Sequence, residues 1–129
     1  MPLAAPVVSA PELAQTDDVT AVKTSLQTWA VAWSARDMKQ YLAAYGELFT
    51  PVDLTRSAWQ KQREQRITKA RRIAVQLSEI KVVLQDQNHA TASFKQDYRS
   101  DLHFYKTDKT LQLEKIADAW LIVAETTAQ

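Results

Sequence analysis

The amino-acid sequence predicts an α+β domain in which three N-terminal helices pack on a strongly bent, mostly antiparallel sheet. In the first half of the chain, apolar residues recur every three or four positions, which is the period of an amphipathic helix. From Ile73 onward, apolar and polar residues alternate, which is the period of a half-buried strand. A run of helices followed by a run of strands is typical of an α+β fold.

The N-terminal segment differs from the rest of the chain in composition. Residues 1–15 are rich in Ala and contain Pro2, Pro6 and Pro11, so we expect an Ala/Pro-rich linker or a disordered leader. The segment has neither the basic start nor the long apolar run of a signal peptide. It would suit a domain excised from a longer chain or a short leader on a full-length protein. The domain itself is then expected over residues 16–129.

The first helix is predicted over about residues 17–35, with Thr16 or Asp17 as its N-cap. Its apolar positions follow a 3-4-3-4 spacing and therefore form one stripe. This stripe consists of Val19, Val22, Leu26, Trp29 and Trp33.

A short second helix is predicted to begin after the N-cap residue Asp37. Its apolar face includes Tyr41 and Tyr45, which are one helical turn apart. Gly46 is expected to end the helix in the left-handed conformation that glycine adopts easily.

The third helix is predicted over about residues 55–70 and is rich in Lys and Arg. One of its faces combines Trp59 with Arg63 and Ile67, although arginine usually lies opposite the apolar face. An outer stripe of Lys61, Lys69 and Arg72 either binds phosphate or an acidic polymer, or is a solvated face.

Four strands are predicted after residue 72. A change of phase at Ser78-Glu79 predicts a β-bulge in the first of them. One face of the second strand carries Ala90, Ala92, Phe94, Gln96 and Tyr98. The last two strands flank the turn Ala117-Asp118, which pairs Leu113 with Ile122 and Lys115 with Trp120. Strict alternation then puts Leu121, Val123 and Glu125 on the outer face, away from the core.

Several groups of residues together resemble the nuclear-transport-factor-2-like, or SnoaL-like, superfamily. They are Trp29-x3-Trp33, Asp37-x3-Tyr41-x3-Tyr45, Phe49, Trp59-x3-Arg63-x2-Arg66-Ile67, Phe94-x-Gln96-x-Tyr98-x-Ser100, Lys109-x-Leu111 and Trp120-x-Ile122-x2-Glu125. Within the superfamily they are most similar to the C-terminal accessory domain of bacterial L,D-transpeptidase-type cell-wall proteins and related repeat proteins. The turn Ala117-Asp118 departs from this pattern, because such domains usually carry glycine there.

The resemblance implies a conical pocket between the helices and the concave side of the sheet. It also implies an accessory role, because the catalytic part of those cell-wall proteins lies elsewhere. A periplasmic or envelope-associated location is therefore favoured over a cytoplasmic one, with a small molecule or a cell-wall protein as partner. Superfamily members nevertheless include isomerases, dehydratases and cyclases, so a small-molecule enzyme or ligand binder is the alternative.

Six residues are candidates for lining the pocket: Tyr41, Tyr45, Trp59, Arg63, Gln96 and Tyr98. Arg63 lies one turn from Trp59 and would hold an anionic or carbonyl-bearing ligand, or would be a structural arginine bound to a buried acceptor. The two tyrosines of the second helix line the pocket or pack in the core. A buried Gln96 lines a wet cavity or has its amide satisfied by the protein.

No residue is predicted to be catalytic. An isomerase-type site needs a carboxylate base and a phenol or acid donor in a dry pocket. Asp97, Asp101 and Glu125 are the acids nearest the sheet, but none matches a catalytic position of the superfamily. The sequence therefore favours a non-catalytic binding or dimerisation module.

Composition restricts the other partners. The chain has 16 Lys and Arg against 15 Asp and Glu, which argues against a globally basic nucleic-acid-binding protein. It contains no Cys, two His and one Gly, which excludes a cysteine zinc site and a glycine-rich phosphate loop. We therefore expect no metal, no cofactor, no nucleic acid and no membrane insertion. Leu121 and Val123 on the outer face instead suggest a homodimer.

Overall fold

Three helices cover one face of a curved four-stranded antiparallel sheet in this computed structural model, which describes residues 4–51 and 53–127. This arrangement confirms the predicted α+β class. The elements in chain order are α1 (Ala4–Ser34), α2 (Met38–Ala43), α3 (Arg56–Lys69), β1 (Ile73–Asp86), β2 (His89–Ser100), β3 (Phe104–Ile116) and β4 (Ala119–Thr127). The strands are hydrogen-bonded in the order β1-β2-β3-β4.

The first helix begins earlier than its capping pattern indicated. We expected a start near Asp17, and that boundary was wrong because α1 extends back to Ala4. The Ala-rich composition of this stretch favours helix. Pro6 lies in the first turn, where backbone N–H groups have no acceptor within the helix. The division of the chain into a leader and a domain at residue 16 stays a prediction.

Both shorter helices begin at a side-chain cap, and the cap at Asp37 was predicted. The Asp37 carboxylate accepts a hydrogen bond from the backbone N–H of Gln40 at 3.2 Å. The Thr55 hydroxyl accepts one from the N–H of Ala58 at 3.1 Å. At the other end of α3, the Arg36 guanidinium donates to the carbonyl oxygen of Ile67 at 3.1 Å, which ties the helix to the end of α1.

Gly46 does not have the left-handed conformation expected of it, because its φ is not positive. The chain after α2 instead runs extended beside β4, where the Gly46 N–H donates to the Ile122 carbonyl at 2.9 Å. A Cβ atom at this position would lie 3.4 Å from Leu121 Cβ and from Val123 Cγ1. These distances are ordinary van der Waals contacts, so the close passage of the chain beside β4 does not by itself require glycine at this position.

The predicted bulge and hairpin pairing are both confirmed. The β1–β2 register shifts between Ser78 and Lys81, where Glu79 has a φ of 51°. Leu113 pairs with Ile122, as the turn position predicted. Ala117 and Asp118 both have positive φ, which is the conformation of a type I′ hairpin turn without glycine.

A second bulge, in β4, was not predicted. Leu113 pairs with Ile122 but Gln112 pairs with Ala124, so Val123 is the extra residue. One extra residue inverts the faces of everything after it. Glu125 therefore pairs with the buried Leu111 and lies on the inner face, and its predicted outward position was wrong.

Aromatic rings fill most of the space between the helices and the sheet. Trp29 contacts Trp33 and Phe94, and Tyr45 contacts Phe49 and Trp59, with ring centroids 4.7–6.1 Å apart. Such ring pairs stabilise a core beyond the apolar area that they bury. One cleft remains open beside the N-terminal half of α3, and another lies at its C-terminal end.

Candidate binding site around a buried ion cluster

Three charged side chains meet in the interior between α3, β3 and β4. Lys109 Nζ lies 2.8 Å from Glu125 Oε1, and Arg63 Nη2 lies 3.6 Å from the same oxygen. Their side chains are 5%, 11% and 17% exposed for Lys109, Glu125 and Arg63. We call these three residues the interior ion cluster. Its formal charge is +1, because one carboxylate faces two cations.

Each member of the interior ion cluster is supplied by a different element. Lys109 shares the inner face of β3 with Leu111 and Leu113, since the three residues alternate along the strand. Glu125 reaches that face through the bulge in β4. Arg63 projects from α3, and its guanidinium carbon lies 5.8 Å from the centre of the Trp59 ring.

The ionisation of the cluster follows from burial and mutual attraction. Burial alone would raise the pKa of Glu125, but Lys109 and Arg63 together hold it below its ordinary value. Burial lowers the pKa of Lys109 despite the neighbouring carboxylate. Burial would also lower the pKa of Arg63, but Tyr41 and Glu125 outweigh this effect and raise it. The carboxylate is therefore ionised at neutral pH.

Aromatic faces provide Lys109 with a second set of contacts. Its ammonium nitrogen lies 5.7 Å from the ring centre of Trp29 and 5.6 Å from that of Trp33. A cation over an aromatic face is attracted by the ring quadrupole. These contacts and the Glu125 carboxylate hold Lys109 at the centre of the core, so we assign it a structural role.

Tyr41 and Tyr45 lie deeper than the rim of a pocket. They are 0% and 4% exposed, and the Tyr45 hydroxyl donates to the Tyr41 hydroxyl at 3.2 Å. The Trp29 indole N–H donates to the Tyr45 oxygen at 3.2 Å. Burial raises the pKa of Tyr41 to about 12 and also raises that of Tyr45. Both phenols are therefore protonated and form part of the core.

Trp59 and Arg63 line a cleft of about 390 Å³ between α3 and β4. We call it the α3–β4 cleft, and it is lined by Phe49, Pro51, Leu54, Trp59, Gln62, Arg63, Glu125 and Thr126. Within the part of the chain that the structure describes, Arg63 Nε and Glu125 Oε2 make no hydrogen bond. A buried donor and a buried acceptor thus remain without a hydrogen bond to the described residues, beside an apolar wall.

Tyr98 borders a different cleft, at the C-terminal end of α3. Its ring lies between those of Trp33 and Tyr105, with centroids 5.3 and 4.8 Å away. Gln96 is 2% exposed, and its Oε1 makes no hydrogen bond to the described residues. The six candidate residues therefore fall into three groups. Trp59 and Arg63 line the α3–β4 cleft, and Tyr98 borders the cleft at the C-terminal end of α3. The other three lie in the buried interior: Tyr41, Tyr45 and Gln96.

Sequence reasoning missed Lys109 and Glu125 as members of the site. Lys109 carried a usable signal, because it alternates with Leu111 and Leu113 on what is otherwise a core face. Glu125 carried none, because its orientation depends on a bulge at Val123 that no residue pattern marks.

Neither a metal site nor a membrane span is found among residues 4–51 and 53–127. No three side chains of His, Asp or Glu there are grouped so that they could hold a metal ion. None of the helices in the same ranges combines the length and the apolarity needed to cross a bilayer.

Two solved structures similar to this chain come from larger proteins. Bd1075 of Bdellovibrio bacteriovorus is 25% identical with a TM-score of 0.76, over 83% of this chain and 38% of Bd1075. The helical cell shape determining protein Pgp2 of Campylobacter jejuni, as its K307A mutant, is 21% identical with a TM-score of 0.77. That match covers 85% of this chain and 40% of Pgp2. The chain thus spans about two-fifths of the length of each.

A third similar structure is a stand-alone domain. A candidate dehydratase of the NTF2-like family from Streptomyces avermitilis is 11% identical with a TM-score of 0.76, over 86% of this chain and 94% of that one. At this identity the likeness shows the fold alone. No curated protein matches the chain. The sequence model of the family described as "Cds6 C-terminal NTF2-like domain" matches residues 21–126, and the chain therefore belongs to that family of NTF2-like domains.

Proposed function

We propose that this domain is a non-catalytic binding module that holds a carboxylate- or carbonyl-bearing ligand in the α3–β4 cleft. The observation that carries the proposal is the interior ion cluster beneath this cleft, in which Glu125 balances only one of two cations. Charge that is not balanced in a water-poor site attracts an anion strongly. Arg63 is the member on α3 that borders the cleft, and its planar guanidinium suits a carboxylate.

The walls of the α3–β4 cleft favour a ligand that is partly apolar. Phe49 and Trp59 contact each other with ring centroids 4.7 Å apart, and Leu54 is 40% exposed at the edge. A site of this kind typically combines apolar walls with a few convergent polar groups.

The same electrostatics speak against the enzyme alternative. A general base works best with a pKa near the operating pH, but the pKa of Glu125 is lowered by its two cations. A phenolic acid would need a lowered pKa, whereas burial raises those of Tyr41 and Tyr45. The lowered pKa makes Glu125 a weaker base, and the raised pKa values make the two phenols weaker acids, which supports binding over proton transfer.

We also propose that the domain is the accessory part of a larger bacterial envelope-associated protein. The support is its likeness to about two-fifths of Bd1075 and of Pgp2, the latter described as a cell shape determining protein. A periplasmic or envelope location follows from this proposal.

The binding proposal can be tested by NMR with a matched pair of probes. N-acetylalanine carries a carboxylate, and N-acetylalaninamide has the same shape without the charge. We expect N-acetylalanine to shift the Trp59 indole N–H resonance at lower concentration, because only the carboxylate neutralises Arg63. The Arg63→Met variant keeps the packing of the side-chain stem and removes the charge, so the shift should disappear.

The control is Lys61→Met, because Lys61 is an exposed cation on the same helix. It should leave the titration unchanged. Equal binding of N-acetylalanine by the parent and Arg63→Met proteins would contradict the proposal. Chemical conversion of a bound ligand by the parent protein would support the enzyme alternative instead.

Assembly as a homodimer through the outer face of the sheet stays part of the proposal. Leu121 and Val123 are half-buried in the chain. Val83, whose side chain lies on the same face, is 60% exposed and adds to the apolar surface there. Sedimentation at micromolar concentration should show a dimer that Val83→Lys weakens. Lys61→Gln, at an exposed position on α3 and away from the outer face of the sheet, is the control. A monomer in the parent protein would contradict this part.

A further inference from the structure

We propose that the cleft at the C-terminal end of α3 is a second binding site, for a small anion that carries a planar ring. This site is independent of the α3–β4 cleft. Its volume is about 470 Å³, which is within the usual range for small-molecule sites. We call it the α3–β2 cleft, and it is lined by Arg66, Lys69, Ala70, Tyr98, Ser100, Leu102, His103 and Tyr105.

The charge of the α3–β2 cleft is one-sided. Arg66 and Lys69 border it from the last turns of α3, and neither forms an ion pair with any of the residues that the structure describes. The described residues that line the cleft include no Asp or Glu. A guanidinium and an ammonium group that face one cavity without a carboxylate select an anion.

The ring preference comes from two tyrosines. Tyr98 and Tyr105 stack with centroids 4.8 Å apart and an interplanar angle of 17°, and Trp33 supports Tyr98 from the other side. Tyr105 is nevertheless 40% exposed, although a large aromatic side chain at the end of such a stack would gain from burial. A planar ring in the cleft would cover this surface and extend the column of rings.

The far wall of the cleft is fixed in place before any ligand arrives. The Ser100 hydroxyl accepts hydrogen bonds from the backbone N–H groups of Leu102 and His103 at 3.0 and 2.9 Å. The Ser100 N–H donates to the His103 carbonyl at 2.7 Å. Asp101 accepts from the Arg71 N–H at 2.9 Å, which holds this turn against the end of α3. A wall held in this way reduces the ordering cost of binding.

Four probes separate the contributions of ring and charge in NMR titrations of the full chain. Phenyl phosphate and benzoate carry both features, inorganic phosphate carries only the charge, and benzyl alcohol carries only the ring. We expect the first two to bind with a Kd at least about tenfold lower than that of the last two. The ring resonances of Tyr105 and Tyr98 report this binding. Comparison of phenyl phosphate with benzoate then shows which anionic group the site prefers.

Substitutions at exposed positions test the assignment without disturbing the core. Arg66→Gln should weaken phenyl phosphate binding about tenfold or more, whereas Lys61→Gln on an outer face of α3 should not. Tyr105→Phe keeps the ring and should keep binding. Tyr105→Leu removes the ring and should abolish the advantage of phenyl phosphate over inorganic phosphate.

Three results would overturn this inference. The first is equal affinity for phenyl phosphate and inorganic phosphate, which would remove the role of the ring. The second is equal weakening by Arg66→Gln and Lys61→Gln, which would indicate general attraction to a basic helix. The third is a set of shifts centred on Trp59 and lost in Arg63→Met, which would place the anion in the α3–β4 cleft.

Discussion

The interior ion cluster and the surface ion pair between Lys95 and Glu79 involve similar groups in opposite surroundings. Lys109 and Glu125 are 5% and 11% exposed and 2.8 Å apart. Lys95 and Glu79 are 63% and 65% exposed and 3.3 Å apart. Water solvates the surface charges whether or not they pair, so that pair contributes little to stability. The buried charges have lost that solvation and depend on each other.

The interior ion cluster therefore restricts the register of β4 more than it adds to the free energy of unfolding. An ion pair in a core is often no better than apolar residues of the same volume. Removal of one partner, however, leaves the other charge buried without compensation. Such an arrangement favours one register of β4, because only the register with the Val123 bulge brings Glu125 to Lys109.

The largest effect is expected for Glu125→Gln, which leaves two buried cations without a carboxylate. We expect the free energy of unfolding to fall by about 3–5 kcal/mol. Glu79→Gln is the matched surface control and should cost under about 1 kcal/mol. Urea denaturation of both variants measures the difference. Similar losses in the two variants would show that burial does not distinguish the two regions.

Acid should reproduce part of this loss in the unmodified protein. The pKa of Glu125 in the folded protein lies below its ordinary value of 4.5. Its stabilisation is therefore complete above that ordinary value and is lost as the pH falls through the folded-state pKa. The stability difference between the parent protein and Glu125→Gln should shrink between pH 7 and pH 3. A difference that stays constant over this range would contradict the assignment.

Lys109→Met should have an intermediate effect, of about 1–3 kcal/mol. Methionine keeps the stem and a favourable contact with the rings of Trp29 and Trp33, but it leaves Glu125 with only Arg63 at 3.6 Å. Adding Glu125→Leu to this variant removes the stranded carboxylate, so the double variant should be more stable than Glu125→Gln alone. Urea denaturation of the three variants checks this order, and strict additivity would argue against coupling.

Arg63→Met should have the smallest effect on stability, under about 1 kcal/mol, because Lys109 still holds Glu125 at 2.8 Å. Ligand binding in the α3–β4 cleft should nevertheless be lost. Measurements of melting temperature and of N-acetylalanine binding on the same protein separate these two roles. A loss as large as that of Lys109→Met would make Arg63 a structural member of the core.

Local patterns predicted most of the fold. The cap at Asp37, the bulge near Ser78 and the pairing of Leu113 with Ile122 depend on residues close together in the chain. Hydrophobic period and turn chemistry encode such features directly. The start of α1 was predicted too late in the chain, because the three prolines among residues 1–15 favoured a linker, although the alanines there favour a helix.

The hydrophobic pattern was enough to predict that helices cover one face of an antiparallel sheet, and which residues of β2 point inward. The meeting of Arg63, Lys109 and Glu125 could not be predicted in this way. The physical reason is that a strand has a period of two, so one unmarked extra residue at Val123 moves Glu125 from solvent to the core. The bulge brings the carboxylate to cations on α3 and β3, which are distant from it in the sequence.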